Sequence, residues 1–138
     1  MTDLSYTAAD FARLAAAEFP ELREELDEHR DLLHLQMHAL QRFAQRAQRE
    51  RDWVLYRRIM LFADRLWQRA DDNLRNALNV SFLEHLTFDG PQGIKAWSYL
   101  SSGLQEGWHA MNTFWAKLEK RARPPRKQRP PKPPRGGR

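Results

Sequence analysis

Apolar residues recur along most of this chain at helical spacing. Leu26, Leu33, Met37, Leu40, Ala44 and Ala47 fall within about 80° of one another when successive residues are turned by about 100°. This narrow stripe predicts a long helix over Asp31 to Gln48. A wider apolar face follows in Trp53, Tyr56, Ile59, Met60, Phe62, Ala63, Leu66, Trp67 and Ala70, with Asp52 placed to cap it, which predicts a central helix. A fourth helix over Asn73 to Leu86 opens at Asp71 or Asp72. Its residues Leu74, Ala77, Leu78, Val80, Phe82, Leu83 and Leu86 leave little polar face, so it is expected to be the most enclosed.

At the start of the chain, Thr7-Ala8-Ala9-Asp10 has the spacing of a capping box with a short acid, opening a helix that Pro20 stops. The same proline suits the first position of a new turn, where Glu21, Glu24 and Glu25 meet the positive end of the helix dipole. Phe88 to Gly93 reads as a loop, followed by a short helix with Ala96, Trp97 and Leu100. Ser101 or Ser102 caps a last helix, whose Leu104, Trp108, Met111, Trp115 and Leu118 form a seam expected to be buried. The fold predicted is all-α, a compact bundle of five or six helices with short connections.

Composition divides the chain in two. All 18 acidic residues precede Lys120, and nine of the 23 basic residues lie from there onward, interleaved with prolines. A helical-bundle domain over 1–119 and a disordered Lys/Arg/Pro-rich tail over 120–138 follow from that split, the tail having nothing apolar to bury. Cysteine is absent, which excludes thiolate catalysis and Cys-ligated metal centres. No stretch has the run of about 18 apolar residues that a membrane span requires, and the first ten residues have no signal-peptide pattern, so a cytoplasmic protein is expected.

The residues that carry chemistry are few. His34 and His38 lie one helical turn apart, and Asp31 precedes His34 by three, a spacing compatible with a metal. The face is polar, however, and neither a zincin motif nor a second acid-x-x-His helix accompanies it, so no metal and no cofactor are expected. Glu84 and His85 sit in an apolar stretch, but neighbouring helical side chains diverge, and a structural role is the expectation. Most of the five tryptophans are expected in the core, with one or two able to anchor a partner. No nucleophile elbow, phosphate loop or dinucleotide fingerprint occurs, so a non-enzyme is expected.

Acidic residues cluster at Glu21, Glu24, Glu25, Asp27, Glu28 and Asp31, a face suited to a basic protein partner. Between Arg42 and Arg75 nine arginines stand against five acids, and Arg42, Arg46 and Arg49 form a stripe able to meet phosphate. Lys120, Arg121, Arg123, Arg126, Lys127, Arg129, Lys132 and Arg135 are the candidate phosphate contacts of the tail, which reads first as a solvating extension, then as a nucleic-acid arm, then as a proline-rich ligand.

The string Leu74-Arg75-Asn76-Ala77-Leu78-Asn79-Val80-Ser81-Phe82-Leu83-Glu84-His85-Leu86-Thr87-Phe88 resembles a family of small bacterial helical proteins classed as a domain of unknown function. The likeness extends back to Phe19-Pro20-Glu21-Leu22 and Asp31 to Met37, forward to Ala96-Trp97, and covers most of residues 8–110. It departs at Asn79, where the family often has an aromatic, and at Ser101-Ser102, in place of a proline pair. The resemblance implies an all-helical fold without an assigned reaction. The reading that results is a non-enzymatic, cytoplasmic protein-interaction module of the immunity or antitoxin-like kind. The alternative is a nucleic-acid-associated protein whose basic tail contacts phosphates.

Overall fold

The computed structural model describes residues 5–122. Among them the chain forms α1 (Ala8–Glu18), a 3-10 turn (Pro20–Leu22), α2 (Arg23–Glu28), α3 (Leu33–Arg49), α4 (Trp53–Arg69), α5 (Asp72–Ala77) running into a π-helical segment (Leu78–Leu83), α6 (Gly90–Trp97) and α7 (Ser102–Ala122). The starts are set by side chains that satisfy amide groups a helix leaves open. The Asp10 carboxylate accepts from the Thr7 amide at 2.9 Å, Asp52 accepts from Leu55 N–H at 3.2 Å, Asp71 from Leu74 N–H at 2.9 Å, and the Ser101 hydroxyl from Leu104 N–H at 3.2 Å. Pro20 ends α1 and opens the next turn, as its fixed φ and missing donor dictate.

One core runs through the bundle. Phe19 is its junction, with the rings of Phe43 and Phe62 at 5.6 and 5.5 Å in edge-on contact. Phe11, Tyr56, Ile59, Met60, Leu66, Leu74 and Phe82 are all fully buried around it. The most extensive helix contact is between α3 and the π-helical segment, which α7 covers from another side. Tyr6 lies in a lone parallel bridge with Ala70, its amide donating to Arg69 C=O at 2.7 Å, which fastens the chain's start beside the end of α4.

Five departures from the sequence reading have local causes. The expected five or six helices are seven α-helices among the described residues, because the acidic stretch forms its own short helix between Pro20 and Asp31. Asp31 stands at φ 65°, a left-handed residue that ends that stretch and delays α3 to Leu33. The expected single helix over Asn73 to Leu86 widens at Leu78, where Glu84 N–H reaches Asn79 C=O at 3.0 Å, five residues back. Four of the six residues of the expected Phe88–Gly93 loop are helix α6, entered through Gly90 at φ 67° and Pro91. Finally, the seam of α7 is buried at Leu104 but not at Leu118, which is 39% exposed, because the helix continues past the bundle to Ala122. Lys120 and Arg121 therefore belong to α7 rather than to the tail, and Arg123, Arg126, Lys127, Arg129, Lys132 and Arg135, with the expected tail disorder, lie outside the described residues.

Candidate functional site

Glu24, Glu25, Asp27 and Glu28 are carried on the short helix α2, with Glu21 on the 3-10 turn before it and Asp31 on the turn after it. Glu21, Glu24, Asp27, Glu28 and Asp31 are exposed, and Glu25 is half-buried. Among the described residues only Glu25 of this set is in an ion pair, accepting from Arg42 across an open groove of about 460 Å³. Glu24, Asp27, Glu28 and Asp31 keep their charge towards solvent and form no ion pair among the described residues, while Glu21 shares the groove with Arg42, Arg46 and Arg49. Leu32 and Leu35 follow directly and are 51% and 43% exposed, an apolar addition to the acidic surface that the sequence reading did not single out. Its signal was present in the sequence: both leucines fall off the Leu33–Met37–Leu40 stripe.

The arginines of the middle segment are used mainly inside the fold. Arg46 lies over the ring of Phe43 at 5.3 Å, beside Glu21 and Glu25 in the same groove. Arg58 donates to Glu18 C=O at 2.8 Å and covers Phe19 at 5.2 Å, while Arg65 reaches the Glu18 carboxylate at 3.5 Å and covers Phe62 at 5.4 Å. Arg69 lies over Tyr6 at 4.4 Å and Arg75 over Trp67 at 4.7 Å. Each such contact covers an aromatic face and contributes about 0.5–1 kcal/mol at an exposed position. The expected stripe Arg42, Arg46 and Arg49 does share one face of α3, but carboxylates face it, so it is not a free basic surface.

The histidines meet the π-helical segment. Its wide turn carries Ser81, 2% exposed, towards α3, where its hydroxyl lies 2.6 Å from His34 Nδ1. One turn on, the His38 ring packs edge-on against His85 at 4.9 Å. Burial, with the charges of His85, Arg42 and His34 nearby, holds the His38 imidazole below its ordinary 6.5. Farther along α3, Gln41 donates to His85 C=O at 3.1 Å, the Gln45 amide oxygen accepts from Thr87 N–H at 3.1 Å, and Gln48 donates to Thr87 C=O at 3.0 Å. These three glutamines, at positions i, i+4 and i+7, clamp the chain as it leaves the segment. Their periodicity was visible in the sequence, but what they bind is backbone, which no side-chain pattern reveals.

This arrangement fastens two elements together. A hydroxyl–imidazole pair is the beginning of a nucleophile, yet Ser81 is sealed beneath α3, and no described hydrogen bond orients the His34 ring from a carboxylate. Glu84 does not meet His85's ring; its Oε1 is buried without a hydrogen-bond partner, as is Asn79 Oδ1 within the same segment. The Asp31, His34 and His38 trio is not assembled either. Asp31 precedes the helix, so the i, i+3, i+7 face that the sequence places there does not form, and no group of three or more metal-ligating side chains occurs among the described residues. The tryptophans are also less enclosed than expected: Trp53, Trp67, Trp97 and Trp108 pack on the core but are half-buried.

Among the described residues no helix is long and apolar enough to cross a membrane. The chain belongs to the family described as domain of unknown function DUF7674, whose pattern matches residues 11–116 and thus spans every element from α1 to most of α7. No curated protein and no solved structure matches the chain.

Proposed function

We propose that this protein is a non-enzymatic, cytoplasmic protein-interaction module whose acidic surface docks a basic protein partner. The observation that carries the reading is the set of five exposed carboxylates, Glu21, Glu24, Asp27, Glu28 and Asp31, leading into the exposed Leu32 and Leu35. Carboxylates without internal partners project a field that steers a cationic surface into register, and apolar side chains at their edge supply area to bury once it arrives. The groups with catalytic potential, Ser81 and Glu84 Oε1, are instead enclosed. An immunity or antitoxin-like role is the form of this reading in which the partner is a toxin with a cationic, nucleic-acid-binding face.

The test is a pull-down from native extract with the full-length chain and the variant Glu24→Lys/Glu28→Lys, each with and without nuclease. Retention of a defined protein by the wild type, lost in the variant and at high salt, is the expected result. Equal retention by both removes the acidic surface from the interaction. Retention of only nuclease-sensitive material turns the assignment to nucleic acid.

A further inference from the structure

A second exposed apolar surface lies on α4, and its charge is of the opposite sign. Val54 is 77% exposed and Leu61 51% exposed. Seven residues apart on one helix, they share a face and stand about 10 Å from each other. Arg57, Arg58 and Arg65 occupy the exposed positions between and beyond them. Arg58 and Arg65 share the one carboxylate of Glu18, and Arg57 forms no ion pair among the described residues, so the stripe keeps a positive surplus.

An exposed helix face with two large apolar anchors flanked by cations fits an acidic surface that also offers apolar side chains. The molecule presents such a surface itself, in Glu24, Asp27 and Glu28 followed by Leu32 and Leu35. The two surfaces are linked through the end of α1, because Glu18, bound to the α4 arginines, is separated from α2 only by Phe19 and the 3-10 turn. Complementary surfaces on one chain can meet across a two-fold axis: each copy gives its acidic surface to the partner's α4 and receives the same in return, and the assembly closes instead of growing into a filament.

We infer that the occupant of the α4 face is a second copy of this chain, held in a two-fold dimer by reciprocal contacts between the acid–leucine surface and the Val54–Arg57–Leu61 stripe. The inference rests on the proposed docking role of the acidic surface and names one partner for it.

Mass measurement in solution by light scattering tests it with the full chain. Wild type is expected at twice its 16.4 kDa mass at low salt, falling towards the single-chain mass near about 1 M salt, where the Debye length shrinks to about 3 Å. Arg57→Glu and Glu24→Lys/Glu28→Lys are each expected to weaken self-association by about tenfold or more, since each sets like charges against one another. Mixed in equal amounts, the two variants are expected to pair: one contact then carries exchanged charges and the other is the native one. That rescue also shows that both variants are folded. A monomeric wild type, or a dimer that persists in both variants, overturns the inference. Partner capture lost in Glu24→Lys/Glu28→Lys but kept by a monomeric wild type would leave the acidic surface a docking site and dispose of the dimer alone.

Discussion

Replacing Gly93 by alanine sets two effects of known size against each other. Gly93 lies in the first turn of α6, its N–H bonded to Asp89 C=O at 2.9 Å, and alanine in a helix is worth about 1 kcal/mol over glycine. The added methyl, however, would stand 2.1 Å from the carbonyl carbon of Phe88 and 2.7 Å from its Cα. Ordinary carbon contacts are about 3.5–4.0 Å, so the backbone of Phe88 has to retreat by more than about 1 Å. Phe88 cannot move alone. Its ring is edge-on to Trp97 at 5.1 Å and to Trp108 at 5.7 Å, and this aromatic cluster joins α6 to α7. Overpacking costs about 1–3 kcal/mol and weakened ring pairs about 0.5–1.5 kcal/mol each. The net expectation is a loss of about 2–4 kcal/mol.

Gly90→Ala supplies the control. A Cβ there meets nothing within 4 Å, and only the left-handed φ of 67° penalises it, by about 1 kcal/mol. Urea unfolding followed by tryptophan fluorescence reads both values, and near-ultraviolet circular dichroism reports the cluster directly. A Gly93→Ala protein as stable as wild type, or less affected than Gly90→Ala, would refute the reasoning.

Two further predictions test buried groups. Because the folded state holds the His38 pKa below 6.5, the unfolded chain takes up that proton first; the contribution to stability is whole above about pH 6.5 and is lost as pH falls through the lower, folded-state value. His38→Gln is expected to flatten the acid side of the stability–pH profile, and an unchanged profile would count against the lowering of the His38 pKa by burial. Tyr56 is fully buried, with the Gln48 side chain beside its hydroxyl but no hydrogen bond of good geometry to it, and burial pushes its pKa up. Tyr56→Phe should therefore be neutral or stabilising by up to about 1 kcal/mol in thermal unfolding, and a loss above about 2 kcal/mol would show the hydroxyl to be bonded.

Much of the helical plan was legible because helix starts are local events. Asp52, Asp71 and Ser101 cap where the sequence places them, since a side chain a few residues away decides the outcome. The acidic candidates were legible as a cluster for the same reason, and charge on a short exposed helix stays exposed. The contacts of the histidine face were not legible, because its neighbour, the π-helical segment, arrives from more than forty positions away in the chain. The contacts of the arginine-rich middle were hidden in the same manner: nothing near Arg58 or Arg65 in sequence announces Glu18 or Phe19.

Sequence alone therefore determined an all-α chain, its chief helices and the sign of its α2 surface, because periodicity, capping and net charge act over one or two turns. Tertiary structure decided which charges remain free and which polar groups become enclosed. Glu25 is paired with Arg42 while Glu24 and Glu28 are not, and Ser81 is sealed against His34 by a widened turn. Those outcomes depend on which surfaces the bundle brings together, and burial is a property of the assembled helices, not of any one of them.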